Sequence, residues 1–269
     1  MSLHSALTPP PDNSSAKLRR EADFHDKIFG EGGREQAGKF YSIAEASKRF
    51  YRTYLADHSA GKLVLEYGSG PYTHSVMMMR QGARVIGIDI SPVAVQQYRS
   101  WARSKGQPNA MACVMNAEQL AFAPASFDLI CGTGILHHLD LERSYAEIAR
   151  ALKPGGCALF LEPLGHNPLI NLYRRLSPTM RTPDEHPLLQ RDLQLARRHF
   201  QRVDLTYYHL LSLAAVPFRG WPGFKWLVGA LDRTDQLLFR WLPWLRRHAW
   251  VVCLMLSEPA AASRQPAGR

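Results

Sequence analysis

The stretch Lys62-Leu-Val-Leu-Glu-Tyr-Gly-Ser-Gly-Pro-Tyr-Thr-His74 decides the fold of this chain. A run of apolar and β-favouring residues ends in the acidic Glu66 and continues into Gly68-Ser69-Gly70, the pattern of a buried strand that turns tightly beneath a ligand. Ligands of α/β sheets bind outside the carboxyl ends of the strands, where glycines let the backbone approach closely. The stretch therefore predicts the first strand of a ligand-binding α/β sheet.

The composition fits one large α/β domain, since the chain has 269 residues and is 46% hydrophobic. A formal net charge of +10 predicts attraction to an anionic partner, which could be nucleic acid, an acidic membrane surface or a small molecule. No apolar run approaches the roughly 18 residues that span a bilayer, and the N-terminus does not resemble a signal peptide. We therefore expect a cytoplasmic protein, with association to a membrane surface as the open alternative.

Composition divides the chain into segments of different character. Residues 1–16 are polar and proline-rich and predict a disordered tail, and residues 17–58 predict an N-terminal lid of short amphipathic helices. Residues 59–258 predict the main domain, in which 208–248 form a helical cap inserted before the last strand. Residues 259–269 predict a second disordered tail.

Within the main domain, apolar strands alternate with amphipathic helices. The predicted strands are 62–66, 84–89, 110–114, 127–131, 157–161, 200–207 and 249–256, and the predicted helices are 73–81, 92–104, 141–152 and 188–199. Such alternation implies a doubly wound parallel sheet, and strands that are apolar throughout imply helices on both faces. We expect a Rossmann-like, seven-stranded, mostly parallel sheet whose last strand is antiparallel.

Asp89 ends the second predicted strand, about twenty residues after the glycine turn. An acidic residue at this point can accept hydrogen bonds from both hydroxyls of a ribose, so the pattern predicts a cofactor that contains a nucleoside. A dehydrogenase that binds NAD is the competing interpretation. Thr73 stands where the dinucleotide fingerprint has its third glycine, which counts against that class.

Six segments, taken together in order and spacing, resemble the class I S-adenosylmethionine-dependent methyltransferases. They are Leu65-Glu-Tyr-Gly-Ser-Gly70, Val85-Ile-Gly-Ile-Asp-Ile-Ser91, Asn116-Ala-Glu-Gln-Leu-Ala-Phe122, Ala125-Ser-Phe-Asp-Leu-Ile130, Ile135-Leu-His-His-Leu139 and Leu152-Lys-Pro-Gly-Gly156. The resemblance implies S-adenosylmethionine as cofactor, with its methionine half at the glycine turn, its ribose at Asp89 and its adenine at Asn116 and Ala117. The expected cofactor-binding residues are Glu66, Gly68, Ser69, Gly70, Asp89, Ile90, Asn116, Ala117, Glu118 and Thr133.

Two positions depart from the family pattern. The third small residue of the usual glycine turn is replaced around Pro71-Tyr72-Thr73, and at the adenine edge Asn116 replaces the common acidic residue. The oxygen of an asparagine side chain can still accept a hydrogen bond from the adenine amino group.

Three histidines are candidate catalytic residues. His137 and His138 follow the fourth strand, and His166 lies in the loop after the fifth, at the edge where the ligand is expected. A neutral imidazole can accept a proton near neutral pH, so one of them could serve as a general base. The alternative is that His137 and His138 are structural parts of a turn. The sequence predicts no metal ligand set.

Residues 208–248 carry four tryptophans, Trp221, Trp226, Trp241 and Trp244, among leucines and basic residues. Aromatic and basic side chains together suit a membrane interface or a lipophilic substrate. The alternative is an apolar cap that packs on the domain or on a second subunit, so a homodimer stays open.

The predicted activity is methyl transfer from S-adenosylmethionine to a small or medium lipophilic molecule, with O-methylation as the default. Open alternatives are a small thiol acceptor, a lipid or quinone at a membrane surface, and a cofactor-binding scaffold without catalysis. Nucleic acid is disfavoured, because Gly132-Thr-Gly-Ile-Leu-His-His138 lacks the Asn/Asp-Pro-Pro-aromatic turn of base-amino methyltransferases.

Overall fold

A seven-stranded sheet forms the centre of the computed structural model, which describes residues 13–30, 42–71, 74–176 and 186–260. The strands are β1 (Leu63–Tyr67), β2 (Arg84–Asp89), β3 (Met111–Val114), β4 (Phe127–Thr133), β5 (Leu152–Pro163), β6 (Phe200–Tyr208) and β7 (Val251–Pro259). Their order across the sheet is β3-β2-β1-β4-β5-β7-β6. β1 to β5 run parallel, and β7 pairs antiparallel with both β5 and β6. The predicted Rossmann-like sheet with an antiparallel last strand is confirmed.

Helices connect these strands and cover the sheet. They are α1 (Asn13–Gly30), α2 (Glu45–His58), α3 (Ser75–Arg80), α4 (Pro92–Ser104), α5 (Leu141–Ala151), α6 (Pro168–Leu176), α7 (Gln190–His199) and α8 (Phe224–Trp241). Short 3-10 turns cover Leu136–His138, Ser212–Phe218 and Pro243–His248.

Both faces of the central strands are buried, which explains why the strands are apolar throughout rather than alternating. Val64 and Leu129 belong to the hydrophobic cluster on one face, whereas Leu65 and Ile130 belong to the cluster on the other. All four side chains are fully buried. A sheet packed on both faces holds its strand ends firmly, so the loops at the carboxyl edge start from fixed positions.

Several boundaries differ from the sequence-based prediction, most of all in β5, α1 and β7. β5 begins at Leu152 rather than at residue 157, because Leu152 already pairs with Phe127, and a bulge separates this pair from the pair of Cys157 with Leu129. Near the N-terminus, α1 begins at Asn13, so residues 13–16 of the predicted disordered tail are helical. β7 runs over Val251–Pro259 rather than 249–256, so Pro259 of the second predicted tail pairs in the sheet with Phe200. The remainder of the predicted tails, 1–12 and 261–269, lies outside the described residues.

None of the helices in the described part of the chain is both long enough and apolar enough to cross a membrane.

Candidate functional site

A cavity of about 710 Å³ lies at the carboxyl edge of the sheet. The parallel strands end at this edge, and β7 begins there because it is antiparallel, with Val251 opposite Pro163. Residues of α1 and α2 also line the cavity. The volume falls within the range of roughly 300–1,000 Å³ typical of small-molecule sites.

The glycine turn after β1 forms part of the cavity wall. Gly68 and Gly70 have φ of +64° and +57°, a conformation that favours glycine. A Cβ atom on Gly68 would lie 2.7 Å from the side chain of Ile135, which belongs to the turn after β4. Glu66 is buried beneath the turn, where its Oε1 accepts a hydrogen bond from the backbone N–H of His74 at 3.1 Å.

Asp89 ties the end of β2 to the glycine turn. Its Oδ2 accepts from the backbone N–H of Gly70 at 2.8 Å, and its Oδ1 accepts from that of Ser91 at 2.9 Å. Burial raises the pKa of Asp89, and the two backbone hydrogen bonds offset part of that rise. Each carboxylate oxygen has a second lone pair, so Asp89 can also accept from ligand hydroxyls in the cavity.

The loop after β3 lies further along the same edge. The side-chain oxygen of Asn116 accepts from the backbone N–H of Glu118 at 2.9 Å, which holds the loop in a tight turn. Oε1 of Glu118 in turn accepts from the backbone N–H of Asp140 at 2.8 Å. Of the ten expected cofactor-binding residues, Glu66 lies beneath the glycine turn and the other nine line the cavity.

His137 is oriented by Glu162, a fully buried residue near the end of β5. Oε1 of Glu162 accepts from the backbone N–H groups of Ile135 and Leu136, both at 2.9 Å, and Oε2 lies 2.8 Å from Nδ1 of His137. A carboxylate only accepts hydrogen bonds, so Nδ1 of the neutral imidazole carries the proton and Nε2 is the acceptor nitrogen. His137 lines the cavity and therefore has the geometry of an oriented general base.

The other two predicted histidines lie in different surroundings. His138 also lines the cavity, and its Nδ1 lies 3.2 Å from Oε2 of Glu21 on α1. Nε2 of His166 accepts from the backbone N–H of Gln190 at 3.3 Å, outside the set of residues that line the cavity. Partial burial, with the nearby charges of His248 and Arg247, lowers the pKa of His166.

Several cavity residues had no recognisable sequence signal. Leu161, Ile170, Tyr173, Trp250 and Val251 form an apolar wall contributed by β5, α6 and the start of β7. Glu21 and His25 on α1 also line the cavity. Residues 31–41 of the predicted lid lie outside the described residues.

Residues 65–160 match the family model described as Methyltransferase domain. Over 84 residues the chain is 39% identical to a demethylmenaquinone methyltransferase from Chlorobaculum parvum, a match that covers 31% of this chain and 33% of that protein. Over 108 residues it is 32% identical to a ubiquinone biosynthesis O-methyltransferase from Idiomarina loihiensis, covering 40% and 44% of the two chains. The chain thus spans less than half of the length of either relative.

A solved structure of geranyl diphosphate C-methyltransferase from Streptomyces coelicolor superimposes with a TM-score of 0.60. It covers 93% of this chain and 100% of that one at 14% identity, so the likeness extends to the fold alone.

Proposed function

The chain carries a class I S-adenosylmethionine-dependent methyltransferase domain, and from that premise we propose that the protein methylates a hydroxyl group of a lipophilic small molecule. The matching relatives, whose names refer to quinone compounds, support a lipophilic acceptor. The single observation that carries O-methylation is the pairing of His137 with the buried Glu162 in the cavity wall.

The cavity residues fit S-adenosylmethionine. Gly68 and Gly70 carry no side chains, so their backbone can approach the methionine half of the cofactor. Asp89 would accept from the ribose hydroxyls, and Asn116 and Ala117 would contact the adenine edge. When bound, the cofactor supplies a methyl group on a positively charged sulfur, which is already activated for transfer to a nucleophile.

Proton removal from the acceptor is the step that this chain's own residues would assist. An acceptor hydroxyl loses its proton to Nε2 of His137, and the carboxylate of Glu162 stabilises the imidazolium that forms. The buried position of Glu162 fixes the imidazole ring through its short contact to Nδ1. Alignment of the acceptor and exclusion of water by the cavity walls provide the remaining assistance.

The chemistry of the cavity wall supports a lipophilic acceptor. Ile170 and Tyr173 of α6 face the same cavity as Trp250 and Val251 at the start of β7. These residues follow β5 along the chain, whereas the expected cofactor residues precede it. A lipophilic acceptor would bury its apolar surface against this wall and present its hydroxyl group to His137.

The proposal is tested by calorimetric titration with S-adenosylmethionine, followed by transfer of a labelled methyl group into fractionated cell extract. We expect saturable binding that Asp89→Ala abolishes and that Asp204→Ala on β6, a half-buried aspartate outside the cavity, leaves intact. Failure to bind at high micromolar cofactor would refute the proposal. Binding without transfer to any fraction would support a cofactor-binding scaffold instead.

A second candidate is methyl transfer to a lipid or quinone at a membrane surface, and the exposed tryptophans favour it. Trp221, Trp226, Trp241 and Trp244 are between 52% and 74% exposed. Tryptophan is enriched at membrane interfaces, where its ring reaches the acyl boundary and its N–H stays hydrated.

One face of α8 combines apolar and basic side chains. Trp226, Leu237 and Trp241 share this exposed face with Arg233 and Arg240, since at 100° per residue all five fall within about a third of a turn. The opposite face, with Val228 and Phe239, is buried against the domain.

The charge of this region suits an anionic surface. The exposed basic residues of the segment are Arg219, Lys225, Arg233, Arg240, Arg246 and Arg247. Its two acidic residues turn inward, because Asp235 is fully buried and Asp232 lies 3.4 Å from Nδ1 of the buried His209. A second copy of this chain would present the same positive face, whereas anionic lipid attracts it.

The exposed surface continues to the cavity through α6. Leu169, Leu172 and Leu176 are exposed on this helix, while its Ile170 and Tyr173 line the cavity. Asn167 links the start of the helix to the segment after α8 by a hydrogen bond to the backbone oxygen of His248 at 2.6 Å. An acceptor dissolved in a membrane would therefore meet the apolar wall directly.

Sedimentation with anionic vesicles separates the two candidates. Burial of a large apolar side chain contributes about 1.5–3 kcal/mol, so the double variant Trp241→Ala/Trp244→Ala should bind vesicles more than about tenfold more weakly. Trp101→Ala on α4 is the matched tryptophan control. Equal and negligible pelleting of all three proteins would remove the membrane candidate.

A further inference from the structure

Three metal-ligating side chains converge at the cavity wall. Glu21 and His25 lie one turn apart on α1, and His138 comes from the turn after β4. Oε2 of Glu21 is 3.5 Å from Nε2 of His25 and 3.2 Å from Nδ1 of His138, and the three ligand atoms all lie within 4.8 Å of one another. We propose that these residues bind a divalent transition-metal ion, for which Zn²⁺ is the best fit.

The distances match those of ligands that share one ion. Zn²⁺ binds imidazole nitrogen and carboxylate oxygen at about 2.0–2.2 Å with tetrahedral geometry, which separates neighbouring ligand atoms by roughly 3.4 Å. The two distances to Oε2 bracket that value. Mg²⁺ and Ca²⁺ prefer oxygen ligands alone, so two imidazoles among three ligands favour a transition metal.

A simple ion pair is the competing interpretation. N–H donors bond to oxygen at 2.7–3.2 Å, and the two imidazole nitrogens lie at or beyond the upper end of that range. Both nitrogens also approach the same oxygen of Glu21. This convergence is expected when an ion lies between the ligands, and two direct hydrogen bonds would bring the nitrogens closer.

Burial favours a coordinated state of the carboxylate. The side chains of Glu21 and His138 are 6% and 5% exposed, and that of His25 is 18% exposed. A carboxylate removed from water is costly unless it is paired or coordinates a metal. Coordination of a cation by all three side chains is one of the states that satisfies this requirement.

The spacing along α1 is also suitable. Residues four apart share one face of a helix, and this spacing places two ligands on one metal in metalloprotease helices. The third ligand is distant in sequence, which is why the pattern Glu21-Ala-Asp-Phe-His25 did not predict a site.

The position of the site gives the ion two roles. Three protein ligands leave at least one coordination position, and all three residues line the cavity, so a small molecule could complete the coordination. The ion would also join α1 to the turn after β4. Neither role depends on the proposed methyl transfer.

The test measures metal binding directly. Full-length protein is stripped with a chelator and titrated calorimetrically with Zn²⁺, and Co²⁺ provides a visible spectrum that reports tetrahedral coordination. We expect about one equivalent to bind, with Glu21→Gln, His25→Ala and His138→Ala each weakening affinity by roughly 100-fold or more, beyond the 10–100-fold typical of outer-shell changes. His58→Ala on α2 and His166→Ala are matched histidine controls that should bind as the wild type does.

Circular dichroism establishes that each variant is folded. If a histidine variant unfolds, the metal affinity of Glu21→Gln alone decides the test. Binding of less than about a tenth of an equivalent of either metal, or wild-type affinity in Glu21→Gln, would overturn the site. Cofactor titration of the same stripped protein keeps this result separate from the proposed activity.

Discussion

Replacing Glu162 by glutamine is the most direct perturbation of the proposed base. The side chain keeps its size, and its oxygen can still accept from the backbone N–H groups of Ile135 and Leu136. The new NH₂ group faces Nδ1 of His137, where the carboxylate oxygen had been 2.8 Å away. Because an amide NH₂ only donates, the imidazole must present Nδ1 as its acceptor and move its proton to Nε2.

The expected loss of rate follows from this change of tautomer. Nε2 of His137 would carry a proton and could no longer accept one from the acceptor hydroxyl. General base catalysis contributes about 10²–10⁴-fold, so turnover should fall by that factor, or roughly 3–5 kcal/mol of barrier. The unfolding free energy should fall by about 1.5–3 kcal/mol, the contribution of a hydrogen bond to a charged group.

Two measurements test the reasoning. Single-turnover transfer from labelled cofactor gives the rate, and ¹⁵N NMR should show the unprotonated nitrogen of His137 changing from Nε2 to Nδ1. Glu147→Gln, which breaks an ion pair with Arg150 outside the cavity, is the matched control. A rate within about threefold of wild type would refute the base assignment, since general base contributions start near 10²-fold.

Three further changes probe other parts of the structure. Gly68→Ala forces alanine into the left-handed region, which costs roughly 1–2 kcal/mol, and places its Cβ 2.7 Å from a side chain after β4. In urea denaturation, Gly68→Ala should lose more unfolding free energy than Gly61→Ala, because Gly61 has φ of +71° but open space around it. Equal losses in the two variants would exclude a steric contribution at Gly68. Asp89→Asn should weaken cofactor binding by about 1.5–3 kcal/mol in calorimetry because it loses a charged acceptor, and unchanged affinity would remove its assigned role. Asp235→Asn replaces a fully buried carboxylate that accepts from three backbone N–H groups at 210–212. The unfolding free energy should therefore fall by about 1.5–3 kcal/mol, and no change would show that the loop does not depend on this carboxylate.

The sheet could be predicted from the sequence because its signals are local. Strands buried on both faces appear as short apolar runs, and the turn at Gly68 and the acidic end at Asp89 mark the ligand-binding edge. The start of β5 was harder to predict, because Pro154 and the two glycines that follow it are typical of a turn, although this segment belongs to the strand. Local composition cannot reveal a pairing that is set by a distant neighbour.

The other parts of the cavity wall depend on tertiary packing. Glu21 and His25 reach the cavity only because α1 folds over the strand ends, and their spacing is also ordinary for a solvated helix. Trp250 reaches it because β7 runs antiparallel to β5. Neither placement has a periodic signature in the chain, so the sequence predicts the glycine turn and Asp89 at the carboxyl edge but gives no sign of these lining residues.

The antiparallel course of β7 divides the cavity between two portions of the chain that can change separately. Residues up to β5 form the wall that would hold the cofactor, and residues from α6 to Val251 form the apolar wall. The segment that connects β6 to β7 contains α8, and it begins and ends at the carboxyl edge of the sheet. None of the described residues between β6 and Trp250 lines the cavity. Substitutions in α6 or at Trp250 and Val251, rather than in α8, would therefore alter the apolar wall while the residues expected to hold the cofactor stay unchanged.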